Sequence, residues 1–230
     1  MKKNVLQKPV VLFVTGVLLV CLSGSVRTLL ADVHAIIPEQ TLSSLQENTY
    51  RYRYVDWEHV RAQLQRALDY TPDNPELLHL LGRAYERQYV LSLYPDDGAR
   101  VARQKAAELY RKASAIRPAW PHDRIDILLV DYLLQGYNPD IYEQMKISIS
   151  LGPWEPWVNQ VVTEIGLQQW EELGEEAREL IGLHAQRAVL DREDQDRMLY
   201  LLRIYEKLEL VCPEVVEEHV VQYCNRYLDS

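Results

Sequence analysis

Between residues 75 and 118 small, bulky and helix-ending side chains are spaced as a pair of antiparallel helices requires. Leu78, Leu81, Gly82 and Tyr85 fit a first helix, in which glycine directly follows a leucine and an aromatic comes three residues later. Ala106, Tyr110 and Ala113 fit a second helix, closed by Pro118. Each position has a mechanical reason. Gly82 and Ala106 are small where two backbones approach, Tyr85 and Tyr110 are bulky where the pair meets its neighbours, and Pro118 cannot continue a helix.

The second-helix steps of four, three and five recur on both sides. Val60, Leu64, Ala67 and Pro72 keep them, and so do Ile141, Met145, Ser148 and Pro153, with periods of 46 and 35 residues between the prolines. This spacing resembles the tetratricopeptide repeat, with Leu78, Leu81, Gly82 and Tyr85 on its W-x2-L-G-x2-Y positions. The resemblance implies an all-α, TPR-like α-solenoid of about four helix pairs with a C-terminal cap, spanning residues 56–230. The stretch 88–99 departs from it, being about twelve residues longer than a 34-residue repeat allows. It carries Tyr94-Pro95-Asp96-Asp97-Gly98, a breaker cluster suited to a surface contact loop.

Helix boundaries are legible elsewhere too. Asp56 can cap a helix burying Trp57, Val60, Leu64, Ala67 and Leu68, while Asn74-Pro75, Asn138-Pro139 and Glu155-Pro156 mark three further starts and Gly136 a stop. Beyond Gly174 the pattern predicts helices over residues 175–190, 195–209 and 213–228, the last polar enough to cap an array.

At the N-terminus Lys2, Lys3 and Lys8 precede an uncharged run from residue 9 to 26, followed by Arg27 and four more uncharged residues. A run of this length, continued past a snorkelling Arg27, predicts a single transmembrane helix over 10–31 behind a short tail, 1–9. The lysines place that tail in the cytoplasm and the repeat domain in the periplasm, on an inner-membrane single-pass anchor. The alternative is a cleaved signal peptide, for which Ser23-Gly24-Ser25 offers small residues. Residues 32–55 show no clear period and read as an irregular stalk, with Tyr50, Tyr52 and Tyr54 alternating as in an extended segment.

The net charge of −9 hides an asymmetry: residues 155–230 sum to −10 and the preceding 154 to +1. Such an acidic half argues against nucleic acid as a partner. A basic run, Arg100, Arg103, Lys105, Arg111, Lys112, Arg117 and Arg124, reads first as a solvated helix face and second as an attraction to an anionic surface.

No phosphate-binding glycine loop, zinc-type Cys or His spacing or nucleophile elbow occurs. His34, His59, His79, His122, His184 and His219 are scattered singly, and the adjacent carboxylates Glu171-Glu172 and Glu175-Glu176 point different ways on a helix. No catalytic, cofactor-binding or metal-ligating residue is therefore named, and the reading is a scaffold, not an enzyme. Trp120, Trp154 and Trp157 sit at helix-starting prolines, where they either pin successive repeats or stack on sugar rings. Cys212 and Cys224 are predicted to be free thiols, because a helix starting at Pro213 would hold them about 18 Å apart unless it breaks or another chain supplies a partner.

Two segments one repeat apart, Ala115-Ile116-Arg117-Pro118-Ala119-Trp120-Pro121 and Leu151-Gly152-Pro153-Trp154-Glu155-Pro156-Trp157-Val158, resemble membrane-anchored repeat proteins of bacterial exopolysaccharide biosynthesis loci, the VpsP type. The likeness covers about residues 56–190. It implies support of polysaccharide assembly or export, a membrane-embedded polymerase or secretion component as partner, possible glycan contact, and no carried-over catalytic residue. A carbohydrate-active enzyme and a general periplasmic assembly chaperone are the alternatives.

Overall fold

The computed structural model describes residues 7–46, 55–89 and 97–227, and among these every regular element is helical. The architecture is a TPR-like α-solenoid of antiparallel helix pairs, and the chain divides into two compact units, 1–116 and 117–230.

The first unit contains α1 (Gln7–Gln46), α2 (Trp57–Tyr70), α3 (Pro75–Arg87) and α4 (Asp97–Ile116). Polar side chains set the starts: Asp56 accepts from the backbone N–H of His59, and Asn74 accepts from those of Glu76 and Leu77, with Pro75 in the first turn. α2 and α4 each end two residues before the proline of the repeat pattern, as the restriction on residues preceding proline requires. The positions singled out by spacing are inside: Val60, Leu64, Ala67, Ala106, Tyr110 and Ala113 are all buried. Gly82 lies under the Tyr110 ring, where a Cβ would stand 2.6 Å from Cε1. The Tyr110 hydroxyl donates to Glu86 across the helix pair at 2.8 Å.

One expectation is overturned here. Residues 32–46 form no irregular stalk; they continue α1, whose Ala31, Ala35 and Leu42 join Leu64, Leu78 and Ala113 in one core. α2 has second-helix spacing but no first helix visible in the sequence, and α1 is that helix. Two features conceal it: the packed face consists mainly of alanines, and Pro38 stands inside the helix. Interior proline costs about 3 kcal/mol, which the packing of α1 on α2 offsets. The alternating Tyr50, Tyr52 and Tyr54, and most of the breaker cluster between α3 and α4, fall outside the described residues; Asp97 and Gly98 already belong to α4.

The second unit contains α5 (Pro121–Gln135), α6 (Pro139–Leu151), α7 (Pro156–Gln168), α8 (Glu175–Ala188), α9 (Gln195–Ile204) and α10 (Glu218–Tyr227). Ile125, Leu128, Ile141, Met145, Val162, Ile165 and Ile181 build its first core, and Ile141, Met145 and Ser148 are buried as their spacing requires. Gly166 repeats the Gly82 device in α7, for a Cβ there would meet Ile181 at 2.5 Å. A second core gathers Leu167, Val189, Met198, Leu202, Val211 and Val220.

The last two predicted helices are shorter than expected. α9 stops at Ile204 because Glu206 takes φ 55°, letting the N–H groups of Glu206 and Lys207 bond back to Arg203 and Leu202. This is the left-handed helix end usually made by glycine, so its residue type carries no sign of it. Pro213 starts no helix either; α10 begins at Glu218. The chain therefore turns back after Cys212, and Cys212 and Cys224, predicted to be free thiols, form a disulfide with Cα atoms 5.7 Å apart.

Candidate functional site

A concavity of the second unit runs along the exposed face of α8. Glu175, Arg178, Glu179, Gly182, Leu183 and Gln186 recur at helical spacing along it, and Trp170, Glu209, Leu210 and Glu214 form the opposite side. The groove holds about 770 Å³. Local bonds keep its walls in place: Gln186 Nε2 donates to the Leu210 carbonyl at 3.0 Å, and Arg178 Nε donates to the Trp170 carbonyl at 3.0 Å. The Trp170 ring is flanked by the cations of Arg178 at 5.6 Å and Lys207 at 5.3 Å. Leu183 is 43% exposed, giving the groove an apolar contact. Four carboxylates line it against one guanidinium, in a unit whose 22 acidic side chains outnumber 10 basic ones. The arrangement suits a segment with both cationic and apolar side chains. The sequence does contain a signal for it, acids spaced by four beside Leu183, but the same spacing occurs on any solvated helix.

The three tryptophans have separate roles. Trp157 is pinned in the packing, its Nε1 donating to Asp126 at 2.7 Å. Trp154 is 73% exposed, with the Arg187 guanidinium 4.0 Å from its ring centre. Trp120, half-exposed, lies against Arg117 at 5.2 Å, and Arg117 itself clasps the buried Asp123 through two bonds of 2.6 and 2.8 Å. Trp154 and Trp120 are thus surface aromatics held by cations.

The six histidines do not converge. His34 bonds to Gln63, His79 packs on Tyr110, His122 faces Glu155, His219 bonds to Asp196, and His59 is exposed. No group of three His, Cys, Asp or Glu side chains able to hold a metal occurs among the described residues. Nor do Glu171 and Glu172 join Glu175 in the groove.

His184 is a strongly shifted group. Its ring is fully buried, Nδ1 lies 2.6 Å from Asn159 Oδ1, and Nε2 has no hydrogen-bond partner. Burial, reinforced by the nearby Arg187 charge, pushes its pKa down to about 4. The folded state thus binds this proton less readily than the unfolded chain, whose histidine titrates near 6.5. Stability is fully present above that value and is lost as pH falls toward about 4. Between pH 7.5 and 5 the loss through this group should reach about 2 kcal/mol. Urea midpoints at the two pH values should show a larger drop for the wild type than for His184→Gln; equal drops would remove His184 as the cause.

A family model described as TPR-S, Tetratricopeptide Repeats-Sensor, matches residues 24–130. The match begins inside α1, in keeping with the use of that helix as the first of the repeat helices. No curated protein and no solved structure matches the chain. The family match and the helical architecture support a protein of the tetratricopeptide-repeat type, a kind of repeat that mediates protein–protein interaction.

Proposed function

We propose that the protein is a non-catalytic, membrane-anchored scaffold that holds a membrane-embedded polysaccharide polymerase or secretion component for exopolysaccharide biosynthesis or export. The observation that carries the scaffold reading is the α8 groove, open, acidic and apolar-floored, which fits a basic amphipathic segment of a partner. The polysaccharide setting rests on the resemblance of residues 115–121 and 151–158. α1 supplies the anchor: among the described residues it is the one helix long and apolar enough to cross a membrane. The N-terminal lysines favour a cytoplasmic N-terminus and a periplasmic repeat domain at the inner membrane. The Cys212–Cys224 bond agrees with an oxidising compartment for the second unit.

The test is a double charge change in the groove, Glu179→Lys with Leu183→Asp. Both side chains face outward, so the variant should accumulate and melt like the wild type while losing its co-purifying membrane partner and polymer production. Unchanged capture and polymer would remove the groove from the function. A phosphatase active only outside the cytoplasm, fused after Ser230, should be active; an inactive fusion would reverse the orientation.

A second reading, glycan contact, is favoured by the exposed Trp154 ring beside Arg187. It differs in its readout: Trp154→Ala would weaken retention on the polymer and leave protein capture intact.

A further inference from the structure

α1 has two faces from Leu22 onward. One carries Ala31, Ala35, Pro38 and Leu42 into the first unit. The other carries Leu22, Val26, Leu29, Val33 and Ile36, followed by Gln40, at alternating steps of four and three. Those five apolar side chains are between 46% and 62% exposed, and nothing among the described residues covers them. An apolar stripe is expected inside a bilayer. Here it runs on past the bilayer's reach.

A hydrocarbon core of about 30 Å takes up about 20 helical residues. A span entering at Val11 therefore leaves near Leu30, and Val33 and Ile36 stand above it. At that level α1 bears exposed Asp32 and Glu39, and His34 Nδ1 lies 2.8 Å from Gln63 Oε1 of α2. Lipid tails do not cover a stretch with such neighbours.

We infer that the stripe is the seam of a parallel α1 pair formed by a second copy of this chain. The inference rests on the membrane anchoring proposed above, because copies anchored alike present the same helix level and parallel. The steps are those of a heptad with Val26 and Val33 at a and Leu29 and Ile36 at d. A β-branched residue at a with leucine at d, as at Val26 and Leu29, favours two strands. Asp32 and Glu39 fall at g, and in a parallel pair g faces e of the partner's next heptad, here Ile37 and Ser44, so neither acid faces another acid. The positions opposite the seam are Ala31 and Pro38, already buried in each copy's own first unit, so pairing leaves both folds undisturbed.

The test uses the full chain in its membrane, with Cys21→Ser removing the one free thiol among the described residues. Val33→Cys and Ile36→Cys should each yield, under mild oxidation, a species of twice the chain mass. Thr28→Cys, exposed but off the seam, should not. Ile36→Asp added to Val33→Cys should abolish the crosslink while the melting of the first unit is retained. Absence of crosslinks at both seam positions, or equal crosslinking at Thr28→Cys, would overturn the pair although the chain remains membrane-bound. A chain recovered in the soluble fraction after alkaline extraction would overturn the anchor and the pair together.

Discussion

Ala113→Trp is expected to unfold the first unit at a clearly lower temperature than the wild type. Ala113 is wholly buried, in the same core as Leu78, Leu81 and Leu109, where α3 and α4 meet. A tryptophan there has no room, since a single added Cβ at nearby Gly82 would already strike the Tyr110 ring. Overpacking of this kind costs about 1–3 kcal/mol, and more where the backbone must part. For a unit of this size that corresponds to a drop of about 4–8 °C for each kcal/mol. Glu176→Gln, on the exposed side of α8, should change stability by less than about 0.5 kcal/mol. Coincident melting curves for the two variants would mean that the repeat register is wrong.

Removal of the Cys212–Cys224 bond should have the next largest effect. The two residues are twelve apart, and closing a loop of roughly that length stabilises by about 3 kcal/mol in the chain-entropy model. The loss should be local. Val211, Val215, Val220 and Cys224 pack on Met198, Leu199 and Leu202 and hold α10 to α9, whereas the core of α5, α6 and α7 draws on other residues. Reduction, or replacement of both cysteines by serine, should therefore speed hydrogen exchange in α10 well before α5 to α8. Equal protection of α10 with and without reductant would show that hydrophobic packing alone secures it.

These two experiments probe opposite kinds of information. Ala113 is placed by spacing that recurs three times, and the disulfide is placed by a turn that no local pattern announces. The groove falls between them. Its α8 face is periodic, but Glu209 and Glu214 come from the ends of two expected helices and Leu210 from the break between them, a region that instead contains two turns and a short 3-10 helix. The chain could not bring those residues opposite α8 until the second core had folded. The tryptophans divide in the same way: Trp154 and Trp157 flank the same helix-starting Pro156, yet Trp157 is tied to Asp126 and Trp154 is left to solvent.

The sequence by itself determined the helix pairs, their caps and the buried steps of α2, α4 and α6, because glycine, alanine and proline act through local sterics that need no partner to be read. It also determined the apolar N-terminal helix and the acidic second unit, which follow from composition alone. Only the tertiary structure decided that α1 continues past Pro38 as the first repeat helix, since an alanine face in a helix containing proline has a reason to persist only once α2 is packed against it. Only it decided the left-handed stop at Glu206 and the pairing of Cys212 with Cys224, because the stop is made by a residue type that does not announce it and the pairing depends on the chain turning back after Cys212.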